Sequence, residues 1–517
     1  MADLFADYAR ALAALRGGQL EKAAAQAAAL MRRAPRWEKP RLLAAYAARA
    51  SGQYEEEIAL LAPLRASASS PALRAEAYSL SAAARSLLGE GVQAVADYLT
   101  AARLEPDSGQ QRVELSNAEF AACYVDFPPE TFQAIHRRYQ ASLAGIRPLP
   151  QPRYDHARLR VGYLSANFRA HPLAFFFWPL LLHHDRTRVE VYCYAAGTRE
   201  DAYTRAMRAR ADVWRAAAGD SDEALARRIR EDEIDVLVEL DGHTGGNRLP
   251  VLAYRPAPVL LSGIGYMGST GLPFLDGFLL DASCAPHLAQ AQAYFAEPLR
   301  LLPTCHLCYA PIKEMPAPGA LPALRSGTVT FGCLNNFSKV TEALLVDWAA
   351  ILERVPGSRL LVKHRIFDSA EGRRRVRARL TRAGIDPARV TMEGLSRDYL
   401  TAYQRIDIAL DTYPYVGVLT TCEALMMGVP VITRAGVRPG SAFGRSLLGA
   451  AGLGELVTTS RAAYCDRAVA LAGDVPLLAA LRAQLRGMLL TSPLLDGRRY
   501  AREVEELFRA RVQEKHL

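Results

Sequence analysis

Much that a chain of 517 residues could carry is scarce or missing here. The longest conspicuous apolar run is Ala174-Phe175-Phe176-Phe177-Trp178-Pro179-Leu180-Leu181-Leu182. It falls far short of the roughly 20 residues that span a bilayer, and it holds a proline, so membrane insertion is not expected. Eight cysteines scattered over the length argue against a disulfide framework and fit a reducing compartment. Cys305-His306-Leu307-Cys308 resembles half a zinc site, but no second ligand pair lies near it in sequence, so the cysteines read as structural. The start, Met1-Ala2-Asp3-Leu4-Phe5-Ala6-Asp7, is acidic and opens an amphipathic helix rather than a secretion signal, and the expected location is cytoplasmic. No convincing Asp-x-Asp metal clamp appears. The nearest approach is Glu239-Leu240-Asp241, whose Glu239 reads as interior. Aromatic-interleaved basic motifs and a basic tail are also missing. The net charge of +9 lies along helices, as at Arg373, Arg374, Arg375, Arg377 and Arg379, which suits solvated faces and does not call for nucleic acid.

What is present organises into about three domains. Residues 1–110 read as helical repeats, closed by Pro35, Pro71 and Pro106 at a period of about thirty-five residues. Within them Gly17-Gly18-Gln19-Leu20-Glu21-Lys22-Ala23 parallels Ser51-Gly52-Gln53-Tyr54-Glu55-Glu56-Glu57-Ile58-Ala59, and Leu88-Gly89-Glu90-Gly91-Val92-Gln93-Ala94-Val95 is a third version. A glycine at the helix–helix turn, an alanine on the second helix and a closing proline form the tetratricopeptide (TPR) pattern. Such pairs stack into a solenoid whose concave face suits a polypeptide. Residues 111–155 read as a helical linker ending in Arg147-Pro148-Leu149-Pro150-Gln151-Pro152.

The pattern then changes to alternating strands and helices. Buried strands are expected at 159–165, 189–194, 235–240 and 258–263, within a domain at 156–325. A second domain at 326–496 opens with a strand at 329–334 and continues through 359–363, 390–393 and 406–410 to another strand within 428–432. A long amphipathic helix in 497–517 is expected to pack back on the catalytic domains. The predicted fold is an all-α TPR-like solenoid followed by a GT-B fold, two facing Rossmann-like domains with ligands at the carboxyl ends of the strands.

The loops beyond those strands hold the candidate chemistry. After the first strand comes Ser165-Ala166-Asn167-Phe168-Arg169-Ala170-His171-Pro172, and after the 235–240 strand Asp241-Gly242-His243-Thr244-Gly245-Gly246-Asn247-Arg248. A glycine-rich loop at 263–271, with Tyr266, adds a further wall, making Asp241, Gly242, Thr244 and Tyr266 the expected acceptor side. In the second half, Asn335-Asn336-Phe337-Ser338-Lys339 follows a strand. Lys339 could neutralise a leaving diphosphate with Asn336 beside it, and lysine is scarce next to arginine in this chain. The 406–410 strand leads through Asp411-Thr412-Tyr413-Pro414 and Gly417 to Thr420-Thr421, expected to open a short helix whose free N–H groups and dipole suit a diphosphate. Glu423, in or near the first turn, could accept hydrogen bonds from ribose hydroxyls. These features point to a nucleotide-sugar donor.

Taken together, these motifs, with Arg255-Pro256-Ala257-Pro258 and Gly428-Val429-Pro430, resemble those of the O-GlcNAc transferase / SPINDLY family of TPR-containing glycosyltransferases, in a compact bacterial form. The resemblance implies inverting, metal-independent transfer from a nucleotide sugar to Ser/Thr of a protein, or in some relatives to Asn, with no cofactor besides the donor. It ranks UDP-GlcNAc, then UDP-glucose, then GDP-fucose. It implies that His243 and His171 line the acceptor side, with His243 suited to proton handling by an ordinary pKa near 6.5. Lys339, Thr420 and Thr421 would contact the diphosphate and Glu423 the ribose. Flagellin or an adhesin is the implied acceptor. Val418-Leu419 and Ala442 depart from the family pattern and bear on donor identity. A glycan- or lipid-directed transferase, an epimerase on the same architecture, and an inactive repeat scaffold are the alternative readings.

Overall fold

A computed structural model describes residues 2–516; Met1 and Leu517 lie outside the described residues. The chain divides into two compact units. One holds residues 1–125, 336–349 and 362–397, the other residues 126–335, 350–361 and 398–517.

The first unit opens with seven successive helices: α1 Ala2–Arg16, α2 Leu20–Arg33, α3 Glu38–Ala50, α4 Tyr54–Ser67, α5 Pro71–Leu88, α6 Gly91–Leu104 and α7 Ser108–Ala122. Each packs on the next, which is the solenoid expected from the repeats. Gly18, Gly52 and Gly89 sit in the turns within the three pairs at φ of +72°, +73° and +80°, a left-handed conformation that other residues adopt only with strain. Alanines let the helices approach closely: Ala11, Ala14, Ala23, Ala27, Ala44 and Ala47 share a core with Leu43. The middle pair departs from the pattern. Counted from the turn glycines, Ala23 and Ala94 correspond to Glu57, not to Ala59, which is exposed. Glu57 is fully buried, its carboxylate paired with Arg49 Nε at 2.7 Å, and burial pushes its pKa up to about 7.

The first sheet lies wholly in the second unit: β1 Leu159–Ser165, β2 Val189–Ala195, β3 Val213–Ala216, β4 Val236–Glu239, β5 Val259–Ser262, β6 Gly277–Asp281 and β7 Leu299–Leu302. Its order is β3-β2-β1-β4-β5-β6-β7, every pair parallel. The second sheet holds β8 Thr330–Cys333, β9 Arg359–Lys363, β10 Val390–Glu393, β11 Ile408–Leu410, β12 Val431–Arg434 and β13 Val457–Thr458, in the order β10-β9-β8-β11-β12-β13. Both are doubly wound Rossmann orders, so the GT-B expectation holds. Four strands were not anticipated: β3, β6, β7 and β13. β3, β7 and β13 are short and include half-exposed positions, so they lack the buried run that reveals a central strand, whereas β6 is buried along all five residues and its pattern does not explain the omission.

The apolar run at 174–182 is the buried helix Pro172–His183, covered by the C-terminal helix Gly497–His516. That last helix packs on the first half: Glu505 pairs with His184 Nδ1 at 2.8 Å, and Tyr500 donates to the His306 carbonyl at 2.8 Å. Among the described residues no single helix is long and apolar enough to cross a membrane. The pair Arg461–Gly473 and Val475–Leu490 passes that test only jointly, across a 94° bend. Its Arg482 is buried and donates to the Gly319, Tyr403 and Ile406 carbonyls. Within the second unit, Ser446 Oγ of the second half donates to Asp281 Oδ2 of the first at 2.6 Å. Gly440 is needed where the halves touch, since a Cβ there would lie 2.2 Å from the Met267 carbonyl oxygen.

Candidate active site

In each sheet the winding reverses between the first strand and the fourth, β1 beside β4 and β8 beside β11. Crevices for ligands open at such points. The loops that leave those four strands carry most of the residues singled out from the sequence.

In the first half the loops after β1 and β4 are tied by one carboxylate. Buried Asp241 accepts from Ser165 Oγ (2.7 Å), Ala166 N (2.6 Å) and Asn167 Nδ2 (3.0 Å). Glu239 is buried beneath it, accepting from the Asp241 and Gly242 amides and Ser262 Oγ; burial and Asp241 raise its pKa. Gly242 has φ +52°, and a Cβ would stand 2.3 Å from the Tyr266 ring. Thr244 Oγ1 donates to the Asp241 carbonyl. Asp241, Gly242, Thr244 and Tyr266 therefore form one compact loop junction.

The two histidines differ. His243 is 2 % exposed, its Nε2 lies 3.0 Å from the Thr270 carbonyl, and its ring meets Tyr139 and Tyr266 edge-on. A carbonyl partner makes Nε2 the protonated nitrogen. Burial, then the charge of His136, pushes the pKa of His243 down to about 3, which corrects the expectation of an ordinary value near 6.5. His171 is only half-buried and caps helix Pro172–His183, with Nδ1 accepting from Leu173 N at 3.3 Å. Its pKa is lowered to about 4 by burial and then by Arg169. Both rings are neutral at pH 7.

In the second half Asp411 plays the part of Asp241. Its Oδ1 accepts from Thr412 N (2.8 Å), Gly417 N (2.7 Å) and Asn335 Nδ2 (3.3 Å), and its Oδ2 from Thr433 Oγ1 (2.7 Å). Asn335 Oδ1 in turn accepts from Thr420 Oγ1 at 2.8 Å. Helix Leu419–Met426 opens one residue earlier than expected, with Thr420 half-buried and Thr421 buried, the latter bonded to the Gly417 carbonyl at 3.2 Å. Gly417 closes the loop over both hydroxyls: a Cβ there would lie 2.6 Å from Thr420 Oγ1 and 2.9 Å from Thr421 Oγ1. Glu423 stands in the second turn of the helix, 2 % exposed, accepting from the Tyr399 hydroxyl, and burial raises its pKa to about 7.

The asparagine bonded to both Asp411 and Thr420 is Asn335. Asn336 is exposed and its side chain caps the turn Phe337–Lys339 by accepting from Ser338 N. Asn335, Asp411 and Asn167 escaped the sequence reading as site residues. Asn167 and Asn335 each stand two residues beyond the first strand of their half, a signal visible once the strands are assigned. Lys339 belongs to the first unit, half-buried at the end of that turn. Among the described residues the grouping with metal-ligand spacing is Asp281, Cys305 and His306, not Cys305 with Cys308. There His306 and Ser446 already occupy the Asp281 carboxylate, and burial raises the Cys305 thiol to about 12.

The family model for glycosyl transferase family 41 matches residues 146–310 and 320–504. The chain is 40% identical over 359 residues to a tomato (Solanum lycopersicum) protein described as "Probable UDP-N-acetylglucosamine--peptide N-acetylglucosaminyltransferase SPINDLY", covering 68% of this chain and 38% of that one. It is 30% identical over 394 residues to the Arabidopsis thaliana protein SEC of the same description, covering 72% and 40%. It thus spans about two fifths of the length of these curated relatives. A solved structure of a mutant Thermobaculum terrenum O-GlcNAc transferase superposes with a TM-score of 0.84 at 30% identity, over 99% of this chain and 98% of that one. The chain belongs to glycosyl transferase family 41.

Proposed function

We propose that the protein transfers a sugar, GlcNAc in the first instance, from a nucleotide sugar to a Ser/Thr hydroxyl of a polypeptide held by the helical repeats, without a metal ion. The observation that carries this reading is the Asn335–Asp411–Gly417–Thr420 network at the N-terminus of helix Leu419–Met426. It holds backbone N–H groups and a hydroxyl at the switch point of the second sheet, an arrangement suited to a diphosphate. The peptide transferase descriptions of the relatives favour a polypeptide acceptor.

In this reading the acceptor oxygen forms a bond to the anomeric carbon as the bond from that carbon to the diphosphate oxygen breaks, inverting the centre. The charge gathering on the diphosphate is met by Lys339, Thr420 and the helix N–H groups in place of a metal. Thr421, whose hydroxyl is turned to Gly417, contributes through its backbone. Half-exposed His171 is the better proton handler, because an anion nearby raises a histidine pKa from about 4 towards the working range. Buried His243 shapes the loop. A ribose hydroxyl reaches Glu423 only by displacing the Tyr399 hydroxyl.

Calorimetric titration with UDP, GDP and their GlcNAc, glucose and fucose conjugates, with and without magnesium, tests this. Magnesium-independent binding of UDP-GlcNAc is the expected result. Binding of UDP-glucose or GDP-fucose instead would keep the reaction type and change the sugar, and binding of none would favour an inactive repeat scaffold.

A further inference from the structure

Within the first unit the repeats do more than stack. Gly52 and Gly89, the turn glycines of the second and third pairs, both lie against the segment of helix Ala370–Arg382. A Cβ on Gly52 would meet Ser369, the N-cap of that helix, at 3.3 Å. A Cβ on Gly89 would meet the Arg379 guanidinium at 3.2 to 3.4 Å. One turn of helix further back, Arg375 pairs with Glu55 of α4 and with Glu90 at 2.9 Å.

Arg379 is only 5 % exposed. Its Nη2 donates to the Val340 carbonyl at 2.7 Å, its Nε to Glu342 at 2.6 Å, and its guanidinium stands over the Phe337 ring at 5.5 Å from the centroid. These three contacts bracket the turn Phe337–Lys339 from both ends, while α5 and the Phe367 ring close its other sides. A buried guanidinium with fixed partners is a rigid strut, because releasing any one bond leaves a desolvated group unpaired.

We infer that Arg379 is a positioning residue for Lys339: wedged between the Gly89 turn of the repeats and the Phe337–Lys339 turn of the same unit, it sets where the lysine stands. This rests on the proposed contact between Lys339 and the donor diphosphate.

The test is a double-mutant cycle on the full chain, titrating UDP into wild type, K339A, R379Q and R379Q/K339A, with thermal unfolding of each. R379Q is expected to weaken UDP about tenfold in the wild-type background and not at all in the K339A background, while its shift in unfolding temperature is the same in both. Should R379Q destabilise too far, Gly89→Ala, which presses a methyl group on the guanidinium, and Glu342→Gln, which weakens the Nε partner, are expected to act in the same direction. Equal loss of affinity in both backgrounds would make Arg379 a general stabiliser and overturn the inference. Unchanged affinity in R379Q beside a weakened K339A overturns it too, with the role of Lys339 intact. Unchanged affinity in K339A removes the diphosphate contact itself, and the inference falls with it.

Discussion

Two histidines at equivalent strand ends look interchangeable in the sequence, yet their surroundings separate them. His243 fills a slot between Tyr139 and Tyr266 and bonds the Thr270 carbonyl, so His243→Ala leaves a cavity and an unpaired acceptor. The expected outcome is a lower unfolding temperature, with about 1–3 kcal/mol lost from the unpaired acceptor, read by calorimetry. His171→Ala should lower kcat by about a hundredfold, while the lost cap on Leu173 N costs about 1 kcal/mol of stability. An unaltered kcat would take His171 out of the chemistry. Glu57 makes a pH prediction. Its folded pKa of about 7 lies above the ordinary value of 4.5, so between those values the folded chain binds more protons than the unfolded one. Stability therefore falls as pH rises through that window and levels off above it. Glu57→Gln should be no more stable than wild type near pH 4 and gain on it up to about pH 8, as thermal melts at several pH values would show.

At the scale of elements, most of the legible strands are continuous buried runs. The bounds of β1 and β9 are legible because runs such as Leu159-Arg160-Val161-Gly162-Tyr163-Leu164-Ser165 stand out between polar loops, and those of β10 are legible although its residues are half-exposed or exposed. Two-residue β13 exists because β12 pairs with it, and no local pattern announces such a strand. The loops were legible as sites but not in their wiring. Both halves use the same latch: an asparagine two residues beyond the first strand bonded to an aspartate beyond the fourth, Asn167 to Asp241 and Asn335 to Asp411. Asn335→Ala removes the acceptor for Thr420 and a donor to Asp411, so UDP affinity should drop by roughly tenfold, the value of one charge-assisted hydrogen bond. Asn336→Ala, at an exposed turn cap, should leave that affinity within twofold or so. The reverse ranking would return the crevice to Asn336.

For the molecule as a whole, the repeats and the Lys339 turn fall in one compact unit although some two hundred and fifty residues separate Gly89 from that turn. This changes what truncation should do. Removal of residues 1–36, which takes away α1 and α2 alone, should impair a protein acceptor while slow hydrolysis of the donor continues, because the Gly52 and Gly89 turns remain. Removal of residues 1–106 should impair both. Rates of donor hydrolysis and of peptide glycosylation, compared on the two truncations, check this. Equal damage by the short and the long deletion would mean that the repeats act only through overall stability.

Local chemistry determined the parts of this protein: the glycine-to-proline rhythm of the helix pairs, the buried strands, the loop residues able to meet a diphosphate, and the low content of membrane-like or disulfide-like segments. Each is visible because it depends on neighbours a few residues away, where period, turn geometry and capping leave a mark. Tertiary structure alone decided which of two adjacent asparagines faces the Thr420 crevice, which histidine solvent reaches, why Glu57 replaces an alanine beside Arg49, and that Arg379 joins the repeats to the Lys339 turn. Those outcomes depend on burial and on partners far apart in the chain, and desolvation can shift a histidine or carboxylate by several pKa units without a trace in the local sequence.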